Sequence, residues 1–308
     1  MSRSRILVTG ASGLLGLNAC LQLESRCAVT GVVHERCLQG APFQTVTADL
    51  LLESCADRIV DAVRPDAIIH CAALADVDAA EADPVRAERL NAWLPAQLAR
   101  RAAGSGMQFL HISTDAVFDG ARGDYTESDS PAPLSVYAKT KALAEREVLR
   151  EYPAAVVARV NFYGWSLSGR RSLAEWFINS LSQGTRVKGF NDVWFCPLLV
   201  NDLIEILVDV LERRLSGLFN VVSREAITKY EFGIRLARRF GLQEALIAPA
   251  VLASAGLAAP RAARLTLSTK KISAALSREL PGVDEGLDRF HELHRAGYGE
   301  RLRNLAVG

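Results

Sequence analysis

Over the first half of the chain, short runs of β-branched and other apolar residues alternate with longer stretches of helical periodicity. The runs predict strands at residues 5–9, 28–33, 45–47, 67–70, 108–113 and 155–160. Between them, apolar positions spaced three and four apart predict helices at 14–23, 54–63, 84–103 and 135–150. Strict alternation of this kind is the rhythm of βαβ units, so the expected fold class is α/β with a doubly wound parallel sheet. Ligands then bind beyond the carboxyl ends of the strands. After Gly164 the pattern changes to predicted helices at 171–183, 201–213, 229–240, 270–277 and 286–296, with short extended pieces at 186–189 and 218–222. The division expected is a sheet-bearing unit over 1–165 and a smaller, mostly helical unit over 166–308, some of whose segments return to the first. The Ala-rich stretch 245–263 reads as a loop with a short helix.

Composition narrows the functional classes. The 308 residues carry 36 Lys and Arg against 35 Asp and Glu, a net charge of +1. A balance so close to zero gives no general electrostatic footprint for nucleic acid or an anionic membrane, so neither is an expected partner and any anionic ligand must be held locally. Six cysteines are scattered without CxxC or zinc-ligand spacing, which fits free thiols in a reducing compartment and no metal centre. The uncharged run 6–23 is too polar for a secretory core, and 245–260 is short for a bilayer span and contains two prolines. The expectation is a cytoplasmic protein without a membrane segment.

Two constellations carry chemistry. The first strand runs into Gly10, Ala11, Ser12, Gly13, Leu14, Leu15 and Gly16, followed by a helix. Gly10 permits a tight turn, Gly13 lets backbone amides approach a pyrophosphate, and Gly16 permits close packing of helix on strand. The helix N-terminus adds partial positive charge, so the loop needs no lysine to hold phosphates. In the second, Ser113-Thr114-Asp115 closes a predicted strand and Tyr137 and Lys141 open a predicted helix. Four residues apart, Tyr137 and Lys141 share a helical face. A phenol with an ordinary pKa of about 10 is a poor base near neutrality. A neighbouring lysine is expected to favour its phenolate and make proton transfer with a substrate oxygen feasible. The Thr114 hydroxyl can bind the same oxygen.

The GxxGxxG loop, the strand-ending Ser-Thr-Asp and the Tyr-x-x-x-Lys pair together resemble the extended short-chain dehydrogenase/reductase family. The segments 70–81, 113–120 and 125–137, with Asn91, resemble more narrowly the dTDP-4-dehydrorhamnose reductases. The resemblance implies a Rossmann domain, reduction of a 4-keto nucleotide-activated deoxysugar by NAD(P)H, and Thr114, Tyr137 and Lys141 as the catalytic triad. Cofactor contacts implied are Gly10, Ser12, Gly13, Leu14, Leu15 and Gly16, then Asp49 and Leu50 at the adenine, Ala72 and Ala73 at the floor, and Tyr137 and Lys141. At the end of the second strand His34 and Arg36 favour NADP, while Glu35 suits NAD. Substrate contacts implied are Asp115, Asn161, Trp165 and Arg261, and a homodimer through the 84–103 and 135–150 helices, whose faces carry charges including Glu145, is usual for the superfamily. Two other readings stand beside the reductase. One is an epimerase or dehydratase of the same superfamily, against which Ala116 argues because an acidic residue is wanted beside Asp115. The other is a non-catalytic NADP-binding subunit, since the chain also resembles the regulatory beta subunit of methionine adenosyltransferase.

Overall fold

Apolar strands with no polar face must be covered on both sides, and the N-terminal half is built to do this. The computed structural model describes residues 3–52, 54–254 and 262–306. Strand β1 (Arg5–Thr9) lies between β2 (Ala28–Val33) and β4 (Ala67–His70); β3 (Gln44–Thr47) extends the sheet beyond β2, and β5 (Gln108–Thr114) and β6 (Val156–Val160) extend it beyond β4. All pair in parallel, and Gly217–Val221 adds a seventh parallel strand beside β6. Leu7 points into one core, with Cys55–Val63 (α2) and the 94–103 helix, while Ile6 and Val8 point into the other, with Leu14–Leu23 (α1) and Val200–Glu212. That alternation is the period of two in a strand buried on both faces. Strand order reverses between β1 and β4, which opens a crevice at their carboxyl ends.

The helix expected over 84–103 is not continuous. After a short helix at Val77–Ala82 (α3), it runs as Pro84–Glu88 (α4), a π-helical turn at Arg89–Trp93, and Leu94–Ala103 (α5). Pro95 has no N–H to continue the ladder, and the Leu94 amide reaches five residues back to the Arg89 carbonyl. The widened turn presents Asn91, whose amide group binds the Leu74 backbone on both sides and the Thr140 hydroxyl. Within 245–263, Ile247–Ala250 is an extended strand beside Val187–Phe190; Pro249 fits there because this two-stranded sheet is all edge. Two short helices, Val77–Ala82 and Tyr298–Arg303, were not predicted. The second ties to α1 through Tyr298, whose hydroxyl donates to Asn18 Oδ1 at 2.8 Å, and Gln39 N–H donates to the Leu305 carbonyl. Among the described residues no helix is long and apolar enough to cross a membrane.

Helix α6 (Val136–Glu151) begins at Ser135, whose side chain accepts from the Ala138 amide. Glu145, expected on an outer face, is instead buried against the sheet. Its carboxylate accepts from Arg159 Nη2 at 2.7 Å and Nε at 3.0 Å and from Ser113 Oγ at 2.5 Å, and the Arg159 guanidinium lies 4.7 Å over the Phe118 ring. Turning the helix by one position would leave both charges without partners. Arg159→Ala is therefore expected to destabilise the fold by about 3–5 kcal/mol, because it strands a buried carboxylate. The joint replacement Glu145→Leu with Arg159→Met should cost clearly less, and urea unfolding of the two variants measures the difference.

Candidate active site

The turn after β1 is closed too tightly for side chains. Gly10 has φ +69°, and a Cβ there would stand 2.8 Å from the Ala72 amide nitrogen; a Cβ on Gly16 would stand 2.3 Å from the Gly10 carbonyl oxygen. This brings α1 onto β1 with the unbonded N–H groups of its first turn, those of Leu14, Leu15 and Gly16, at the crevice end of the sheet. The Leu15 side chain is a core one at 4% exposure, so only its backbone can face a ligand.

A cavity of about 690 Å³ opens in front of the turn. Gly10, Ser12 and Gly13 form one wall, His34, Glu35, Arg36, Asp49 and Leu50 the far end, and Cys71, Ala72 and Ala73 the floor. Arg86, Arg89 and Arg171 stand along its rim, none of them singled out by the sequence; Arg171 arrives from outside the first 165 residues. His34 lies 3.7 Å from Glu35 and 4.0 Å from Asp49, whereas Arg36 has no ion pair or hydrogen bond among the described residues. Asp49 also caps its own turn by accepting from the Leu51 amide. A cleft with a glycine-rich turn, helix amides that have no intrahelical partner, a small-residue floor and a cationic rim fits a dinucleotide.

Beyond the floor, β5 and α6 assemble the polar cluster. Tyr137 is half-buried and Thr114 is buried at the end of β5. Desolvation pushes the phenol up to about 12; its hydrogen bond with Thr114 opposes that rise and the Asp115 charge adds to it. The lysine expected to favour the phenolate is not among the groups that act on the phenol. Lys141 Nζ donates to the Ile112 carbonyl at 2.5 Å and lies 3.0 Å from His111 Nε2, so β5 holds the ammonium. Burial brings the lysine down to about 7, against Glu145 and Cys71, which favour its charge.

Asp115 is buried, its Oδ2 accepting from Asn161 Nδ2 at 2.5 Å and its Oδ1 from Thr114 at 3.1 Å. Desolvation raises its carboxyl to about 6, although Asn161, Thr114 and the Lys229 charge all favour ionisation. Asp115 and Asn161 are thus brought together beside Thr114. Trp165 is not with them: it is 5% exposed, stacks on Phe290 at 4.4 Å and donates Nε1–H to the Phe290 carbonyl. It is a core residue, and its ring has no face left for a sugar or base. Arg261 lies outside the described residues.

Comparison with known proteins agrees with the fold. Residues 4–295 match the family described as the RmlD substrate binding domain. The protein named probable low-salt glycan biosynthesis reductase Agl14, from Haloferax volcanii, is 32% identical over 286 residues, covering 91% of this chain and 95% of that one. Methionine adenosyltransferase 2 subunit beta of Danio rerio is 31% identical over 279 residues, 87% of this chain and 84% of that one. Among solved structures, a dTDP-4-dehydrorhamnose reductase from Bacillus anthracis, in complex with NADP, superposes with a TM-score of 0.81 at 25% identity, over 94% of this chain and 99% of that one. By the family match over nearly its whole length and by these relatives, the chain belongs to the RmlD substrate binding domain family, on a Rossmann-type α/β fold.

Proposed function

We propose that the protein reduces the 4-keto group of a nucleotide-activated deoxysugar, using NADPH in preference to NADH. The observation that carries this reading is the placement of Thr114 at the carboxyl end of β5 and of Tyr137 in the first turn of the helix packed on that strand, one strand over from the floor of the cleft. A phenol held well above neutrality keeps its proton, which suits reduction: Tyr137 is loaded as the acid. The reduced nicotinamide, when bound, supplies the hydride. Tyr137 gives its O–H proton to the carbonyl oxygen as the C=O π bond opens to a C–H and an O–H bond. Thr114 orients that oxygen, Asp115 and Asn161 hold polar groups of the sugar nucleotide, and Lys141 fixes the cofactor. Arg36, unpaired among the described residues, takes a 2′-phosphate, with His34 beside it. The exposed Trp93 and Val85 on the 84–103 segment keep the homodimer within this proposal.

One observation favours a second reading. The identity to methionine adenosyltransferase 2 subunit beta, 31%, is within one percentage point of that to the reductase relative, 32%, so a cofactor-binding regulatory subunit is the alternative.

Incubation with NADPH and a 4-keto-6-deoxy sugar nucleotide is expected to consume the reduced cofactor. Tyr137→Phe should lower the rate about 10²–10⁴-fold, and absorbance of the reduced cofactor reports both. Failure of the native chain on several such nucleotides, with cofactor retained and another enzyme co-purifying, would instead establish the regulatory reading. Arg36→Ser should raise the KM for NADPH far more than that for NADH.

The Asp115 carboxyl has a pKa near 6 in the folded chain against 3.8 ordinarily, so the native state binds the extra proton and stability falls as pH rises through that window. Asp115→Asn, which needs no ionisation, should gain up to about 3 kcal/mol at pH 8 and nothing below pH 4. Thermal unfolding of both chains across that range checks the sign, and the same variant should bind the sugar nucleotide more weakly.

A further inference from the structure

We infer that His111 is a positioning residue for Lys141, accepting one ammonium hydrogen at Nε2 and thereby fixing where the remaining donor points. The inference rests on the reading of Lys141 as the lysine that fixes the cofactor. An ammonium has three donors and no acceptor. Two of them go to β5, at the Ile112 carbonyl and at His111 Nε2, which leaves one for a ligand hydroxyl. A ring nitrogen that accepts from an ammonium carries no hydrogen, so the neutral His111 ring holds its proton on Nδ1.

The imidazole is itself held. His70 stands directly across from His111 in the β4–β5 register, and the two rings stack at 5.5 Å and 22°. His70 Nδ1 is 2.8 Å from Thr9 Oγ1, and that hydroxyl also accepts from the Ala72 amide on the cleft floor. The last residue of β1, just before the glycine turn, is thereby connected through two rings to the lysine. Both rings are fully buried, and burial with the Lys141 charge keeps each of them neutral. The other charged or titratable groups facing Lys141 are Cys71, after β4, and Glu145, on its own helix; the Glu145 carboxylate is occupied by Arg159 and Ser113. No other side chain offers the lysine an acceptor among the described residues.

The test uses the full chain labelled with ¹³C,¹⁵N-lysine and ¹⁵N-histidine. At pH 6 the native protein should show His111 as the neutral Nδ1–H tautomer with Nε2 hydrogen-free; an Nε2–H tautomer there overturns the proposal without any variant. In His111→Leu the Lys141 signal should titrate with a protonation constant about tenfold lower, one pKa unit, and NADPH, followed by fluorescence, should bind several-fold more weakly. His111→Gln, which keeps a carbonyl acceptor, should recover most of both effects. A Lys141 titration and cofactor affinity in His111→Leu equal to those of the native chain also overturn it. None of these readouts needs turnover, so loss of the reductase reading and loss of this one are told apart: a chain that reduces nothing can still show the tautomer and the shift.

Discussion

The site depends on the burial of one cation. Lys141 is 2% exposed, and an ammonium taken out of water costs several kcal/mol unless fixed dipoles replace its hydration. The Ile112 carbonyl, His111 and the nearby Glu145 carboxylate supply that replacement, and all of them require α6 to lie on β5 at one rotation and one height. The Ser135 cap sets where the helix starts, and the Glu145–Arg159 pair sets its rotation one turn further on. Tyr137, one turn before the lysine, inherits its location from these constraints. The phenol needs no anchor of its own beyond Thr114.

The same dry surroundings move every titratable group of the cluster toward its neutral form. The tyrosine and aspartate rise, and the lysine and both histidines fall. Solvated cations stand instead at the cleft, where Arg36, Arg86 and Arg171 are exposed. The division suits a ligand with phosphates at one end and an uncharged reacting carbon at the other. Phosphate is met by cations that keep their hydration until binding, and the reacting centre by hydroxyls in a low dielectric, where each hydrogen bond counts for more.

Much of this was legible in the residues because it is local. Short apolar and β-branched runs located β1 to β6 within a residue or so, and glycine spacing located the turn whose closeness forbids a Cβ. Thr114 and Tyr137 were legible as a pair because a strand end and the next helix start meet at one edge of any doubly wound sheet. What was hidden depends on register and packing. Nothing in the order of residues says that His70 and His111 face each other across two strands, or that Glu145 turns inward while its neighbour Arg146 turns out. The direction of the Lys141 side chain, toward His111 and the Ile112 carbonyl, follows from those facts. Trp165 was misjudged for a related reason: an aromatic after a sheet strand serves a cleft or a core equally well until its neighbours are known. The π-helical turn was readable in principle from Pro95, had the proline been weighed against the apolar period.

The seventh strand has a bearing on how the molecule is made. Until Gly217–Val221 emerges from the ribosome, the backbone groups along the outer side of β6 have no partner, and a half-built sheet with an open apolar margin is prone to join another nascent copy. Docking of Tyr298 on Asn18 comes later still. Synthesis therefore builds the sheet outward from β1, first to the β3 edge and last to the Gly217–Val221 edge, and the interval before that last strand is the period in which a chaperone has most to offer this chain.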